Sequence, residues 1–161
     1  MVRMFVNKVG LDLHKRAFVV LADAEQERFL PIAIGPFEAR AIAVADQAPH
    51  KRPLTHDLLL SVISDLGYRL ERIEITRLEE GIFYAVLYLI GDQGEHQIDA
   101  RPSDALALAV SAEVPIYVAQ AVLDGAVVLS DEAEKKEKEE LRNLLSGLAP
   151  ENDDEDLDDS S

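Results

Sequence analysis

The chain contains no cysteine. That absence excludes disulfide bridges, thiolate nucleophiles and cysteine-ligated zinc in one step, and it accords with a cytoplasmic protein. Long apolar runs are missing too. The longest stretch free of charge, GIFYAVLYLIG, is eleven residues from Gly81 to Gly91, whereas a membrane-spanning helix takes about 20. The first residues, MVRMFVNKVGLDLHKR, lack the apolar core and small-residue cleavage site of a secretion signal, so no membrane partner is expected. Positive charge is scarce. Sixteen Lys and Arg face 31 Asp and Glu, for a net charge of −15. Residues 130–161 carry −9 of this and the remaining 129 residues carry −6. A field of that sign repels nucleic acid, so contact with a polyanion requires a local basic patch. The sequence also holds no Walker loop, no G-x-G-x-x-G, no H-E-x-x-H and no G-x-S-x-G, which removes the commonest signatures of nucleotide, metalloprotease and serine-hydrolase chemistry.

What is present is enough for a core: 161 residues, 48% of them hydrophobic. They predict one α+β domain over residues 1–130, with largely antiparallel strands and about three main packed helices. Short β-rich runs at 4–13, 17–21 and 28–34, separated by polar turns, read as a meander. GPFEARAIAVADQA reads as a helix with Gly35 as N-cap and Pro36 in the first helical position, where proline's missing N–H costs nothing. THDLLLSVISDLG reads as a second helix, capped by Thr55 and stopped by Gly67. Residues 68–78 alternate like a half-exposed strand. Residues 83–90 are apolar throughout and read as a central buried strand. After a strand at 96–100, a third helix runs from Pro102 to about Ala112 with no polar side, and so is expected to be buried. VPIYVAQAVL supplies a last short strand and a short helix. Residues 131–149 read as a charged helical extension, and residues 150–161 as an acidic tail too poor in apolar groups to fold alone.

Four groups of residues are candidates for chemistry. Glu38, Asp57 and Asp104 each fall in the first turn of a predicted helix, where a carboxylate offsets the helix dipole; that placement explains them without any function. His56, beside Asp57, stands at a helix start, where an imidazole can exchange protons near neutral pH. Asp99 and Arg101 share one face of an extended strand. They either brace the strand end against the next helix or present a guanidinium to a phosphate. Finally, HKR at 14–16 and again at 50–52, with Arg40, form a phosphate-facing patch if the fold unites them, and otherwise two solvated turns. Two-metal phosphodiester hydrolysis needs converging carboxylates. Asp57, Asp99 and Asp104 are the candidate ligands for magnesium or manganese, although their spacing does not demand it.

Five segments occur in a recognisable order: LPIAIGPFEA, RPLTHDLL, GIFYAVL, IDARPSDALALAV and PIYV. Together they resemble the bifunctional nuclease domain, over about residues 1–130. The resemblance implies a hydrolase acting on phosphodiester bonds as both DNase and RNase, an α+β fold and a homo-oligomer. It brings forward His56, Asp57, Asp99, Arg101 and Asp104 as catalytic candidates, and Glu38 and Ser103 as binding candidates; Arg40, Lys51 and Arg52 join the latter as basic residues near the motifs. Two readings follow. In one the protein is a nuclease: His56 is general base or metal ligand, the aspartates hold an ion or orient His56, and Arg101 stabilises charge on the phosphate. In the other it is a non-catalytic oligomeric binding or regulatory module whose motifs cap and brace the fold. The acidic tail is then a partner-binding or solubilising arm.

Overall fold

Residues of alternating exposure, Val2–Leu11, form strand β1. The computed structural model describes residues 1–126 apart from 46, 48 and 49, together with 129–130, 142–144 and 146. Strands β2 (Ala17–Ala22) and β3 (Arg28–Ala33) complete the expected meander, β1 to β2 and β2 to β3 both antiparallel. Helices α1 (Pro36–Val44) and α2 (Thr55–Asp65) follow, then the long hairpin β4 (Tyr68–Glu79) and β5 (Ile82–Gly91), and β6 (Gly94–Ala100). Helix α3 (Pro102–Ala112), β7 (Ile116–Val118), the short α4 (Gln120–Gly125) and β8 (Leu129–Ser130) close the order.

The eight strands form one sheet in the order β6-β5-β4-β7-β1-β2-β3-β8. Among the described residues only the β4–β7 pair is parallel. β1 joins the two halves: Val2 to Met4 pair with β7, and Phe5 to Leu11 pair with β2, with an irregularity between Val6 and Lys8. The mixed α+β architecture is the one the sequence predicts.

Helix α3 explains much of this layout. It carries the chain back across the sheet from the edge strand β6 to the interior strand β7. A helix that crosses a sheet beneath two other helices has no wet side, and Ala105 to Ala109 are all buried, with Leu106 and Leu108 at 0% and 1% exposure. Each such leucine contributes roughly 1.5–3 kcal/mol of burial. Met4, Leu21, Ile73, Ile75 and Val118 close the same core from the sheet.

Two details depart from the sequence reading. Thr55 is not the cap of α2 but its first helical residue. The N-cap is Leu54, whose N–H is taken by the Asp57 carboxylate at 2.9 Å. Gly67 ends the helix as expected, at φ +82°, a conformation that suits glycine. The second departure is β5, which is next to the edge rather than central, and buries only one face, through Ala85, Leu87 and Leu89. Its other face is covered by arginine stems instead of a second layer. The Arg72 guanidinium carbon sits 3.7 Å from the Tyr88 ring centre and that of Arg77 3.9 Å from the Tyr84 ring centre. An apolar run looks the same whether helices or arginines cover it. The expected extension over 131–149 lies outside the described residues except 142–144 and 146, which are helical, and the tail over 150–161 lies wholly outside them.

Candidate active-site cleft

Helices α1, α2 and α3 meet near the end of β6. Gly35 caps α1 with extended backbone (φ −75°, ψ 160°), and Pro36 fills the first helical position. Glu38 folds back over Gly35 so closely that a Cβ there would overlap its carboxylate. Its Oε1 then accepts a hydrogen bond from Arg101 Nη1 at 3.1 Å. Arg101, the N-cap of α3, also donates to Asp104 through Nε at 2.8 Å and Nη2 at 3.1 Å. A planar guanidinium matches such a two-point contact. The Asp104 carboxylate, and then that of Glu38, hold the Arg101 guanidinium above its usual range.

Arg101 thus ties the start of α3 to α1, and Asp99 is not its partner. The register pairs Ile98 with Leu87 and Ala100 with the buried Ala85. Alternation turns the Asp99 side chain to the opposite face of the sheet, beside Val86. It makes no ion pair among the described residues.

His56 is buried, at 8% exposure, in the first turn of α2. Its Nε2 lies 3.3 Å from Asp57 Oδ1. Asp57 is heavily engaged: Oδ2 caps Leu54, while Oδ1 faces His56 and accepts from the Ser111 hydroxyl of α3 at 3.4 Å. That contact ties α2 to α3 and leaves the imidazole with a fixed carboxylate on one side.

In front of His56 lies a cleft of about 790 Å³. Apolar side chains make most of its wall, among them Leu54, Leu59, Leu87, Ile98 and Leu108. Its polar lining comes from Arg40, His50, His56, Asp99 and Asp104, with Phe37 at the rim. The fold thus gathers three candidate side chains, Arg40, His56 and Asp104, around one hollow, while Asp99 borders it with its side chain turned to the far face of the sheet. Glu38 and Arg101 stand behind Asp104, Asp57 stands behind His56, and Ser103 is buried in α3. Lys51 and Arg52 are exposed on the loop before α2 but do not line the cleft, and of the two HKR turns only His50 reaches it. Arg16 is held in its own turn by Asp12 at 2.7 Å. The sequence reading placed His50 with Arg40 in a candidate basic patch, and overlooked Phe37. An exposed phenylalanine in a first helical turn carries no signal of its own.

The metal candidates do not converge. Among the described residues no group of three or more His, Asp or Glu is arranged to hold a cation. Asp57 is spent on capping and on His56, and Asp99 faces the other side of the sheet. No helix among the described residues is long and apolar enough to cross a membrane.

Residues 19–131 match the family model of the bifunctional nuclease domain. An uncharacterized protein of Mycobacterium tuberculosis is 40% identical over 158 residues, covering 90% of this chain and 94% of its own. Bifunctional nuclease 2 of rice (Oryza sativa subsp. japonica) is 30% identical over 106 residues, which is 63% of this chain and 33% of the rice protein. Bifunctional nuclease 2 of Arabidopsis thaliana is 33% identical over 70 residues, 42% of this chain and 21% of the plant protein.

Proposed function

The chain belongs to the bifunctional nuclease domain family, and from that premise we propose that it hydrolyses phosphodiester bonds of DNA and RNA in the cleft between α1, α2 and the end of β6. One observation carries the proposal. Arg40 from α1 and the buried His56 from α2 line the same hollow. A cation for the phosphate and a base for the water thus arrive from different helices.

In this reading His56 takes the proton of the attacking water as its oxygen closes on phosphorus and the bond to the leaving oxygen breaks. Asp57, 3.3 Å from Nε2, stabilises the imidazolium that results. Arg40 holds the phosphate and offsets the charge that builds on it. Arg101 is a positioning residue: its charge is already met by Asp104 and Glu38, so it fixes Asp104 at the edge of the cleft. Among the described residues the carboxylates do not form a metal site.

The test is purified protein on single- and double-stranded DNA and RNA, with and without magnesium or manganese. Activity should track the protein through orthogonal purification steps. It should fall at least about 100-fold in His56→Ala, while Asp99→Ala keeps most of it. Activity unchanged in His56→Ala overturns this site, and activity that separates from the protein overturns the nuclease reading itself.

A second reading, a non-catalytic oligomeric binding module, draws on the same Arg101 cluster: a guanidinium saturated by two carboxylates braces helices without chemistry. Thermal unfolding of Arg101→Ala separates the two. Loss of activity with nearly native stability supports the catalytic site, whereas a large fall in Tm supports the brace. Both readings include a homo-oligomer, because α2 exposes Leu58, Leu59, Val62 and Leu66 together.

A further inference from the structure

We propose that Phe37 and Arg40 form a one-nucleotide subsite on α1, the phenyl ring stacking on a base and the guanidinium pairing with the adjoining phosphate. The proposal rests on the nuclease reading of the same cleft and adds how that cleft grips its substrate. Phe37 is 86% exposed, in the first turn of a helix whose Ala39 and Ile42 are buried. An apolar ring so placed costs solubility and adds nothing to the core. Arg40 lies three residues further on, so the two side chains are neighbours on the helix surface, and both line the cleft. Arg16, Arg28, Arg72, Arg77 and Arg101 are each held by a carboxylate. The Arg40 side chain, like those of Arg52 and Arg69, makes no hydrogen bond or ion pair among the described residues, and of these three only Arg40 lines the cleft.

Charge selects a base over a backbone as the main handle. Residues 1–129 carry a net −6, so the overall field opposes a long run of phosphates. Stacking needs no net charge, since every base offers a π-face. A ring backed by one free cation meets both demands of a single nucleotide. The apolar wall of Leu54, Leu59 and Ile98 then offers surface to the second face of the base and to the sugar carbons, while the polar base edge stays in solvent.

The experiment uses the full chain carrying His56→Ala, so that the ligand survives. Fluorescence anisotropy compares a short labelled oligonucleotide with a copy in which abasic sites replace the bases. The His56→Ala protein should bind the abasic copy about tenfold more weakly. Adding Phe37→Ala should cost about the same factor on the normal strand and abolish the discrimination, and Phe37→Tyr should restore it. Arg40→Ala should weaken both strands and lower the salt slope by about one phosphate. A Phe37→Ala protein that binds the normal strand undiminished, or still discriminates the abasic copy, overturns the subsite. So does a Phe37→Ala protein whose mass in solution changes, since the ring then belongs to a subunit interface. No binding by any version, with no cleavage by the unmutated chain, removes the nuclease reading as well. Cleavage and binding that ignore Phe37 remove the subsite alone.

Discussion

At the scale of the residue, the contacts that the polar side chains make sort the candidates. Asp57, Asp104, Glu38 and Arg101 are bound to one another or to backbone, whereas among the described residues the Arg40 and Phe37 side chains are not. A helix-start carboxylate was legible from sequence; what it touches was not, because the partner of Glu38 lies 63 residues away. Glu113 shows a residue that works against its setting. It ends α3 in the left-handed region at φ 56°, with Val114 N–H bonded to Ala109 O at 3.0 Å. A side chain pays for that conformation and glycine does not. An anion at a helix C-terminus is also unfavourable. Glu113→Gly should therefore raise stability by about 0.5–1 kcal/mol in urea unfolding, and a loss of stability would show that the Glu113 side chain has a stabilising contact.

At the scale of the element, the meander is held by a repeated device. Asp12 closes the β1–β2 turn by accepting from the His14 and Arg16 N–H groups at 2.8 and 2.9 Å and from Arg16 Nε at 2.7 Å. Asp23 closes the β2–β3 turn in the same way, from Glu27 N–H at 2.9 Å, Arg28 N–H at 3.2 Å and Arg28 Nε at 2.8 Å. The first HKR segment is thus a turn rather than part of a phosphate patch. Asp23 is 5% exposed. Burial by itself raises its carboxyl, but the Arg28 guanidinium and the N–H groups of Arg28 and Glu27 outweigh this and hold it below the ordinary 3.8. A depressed carboxyl stabilises the fold above its unfolded value and loses that contribution as pH falls through its folded value. Asp23→Ala should cost about 2 kcal/mol near neutral pH, and its gap to the unmutated chain should narrow as unfolding is measured from pH 5 downward. A gap that stays constant over that range would show that the charge of Asp23 contributes nothing.

At the scale of the whole molecule, α2 packs against α3 and β4 and leaves part of its surface uncovered. Its apolar residues Leu58, Leu59, Val62, Ile63 and Leu66 fall on one helical stripe. In the fold Ile63 is buried, while Leu58, Val62 and Leu66 are 55%, 44% and 71% exposed. A stripe wider than the core can cover is the mark of an association surface. The chain should therefore run as a homo-oligomer in light scattering, and Leu58→Glu with Val62→Glu should reduce it to the monomer mass. A monomeric mass for the unmutated chain would leave the stripe unexplained and remove the oligomer from both functional readings.

Local rules settled the elements themselves. Pro36 and Pro102 each open a helix because their fixed φ and missing N–H suit only that position, and Gly67 ends one because its φ is positive. The unbroken apolar run of α3 already required burial. Only tertiary packing decided which charged groups meet. Alternation along β6 sent Asp99 to the far face of the sheet. The approach of α1 to α3 gave Arg101 to Asp104 and Glu38, and the docking of α2 on α3 buried His56 behind the cleft. Spacing along a chain fixes the face on which a side chain stands, but its partner comes from another element, brought close by a core that burial of apolar surface assembles without regard to charge.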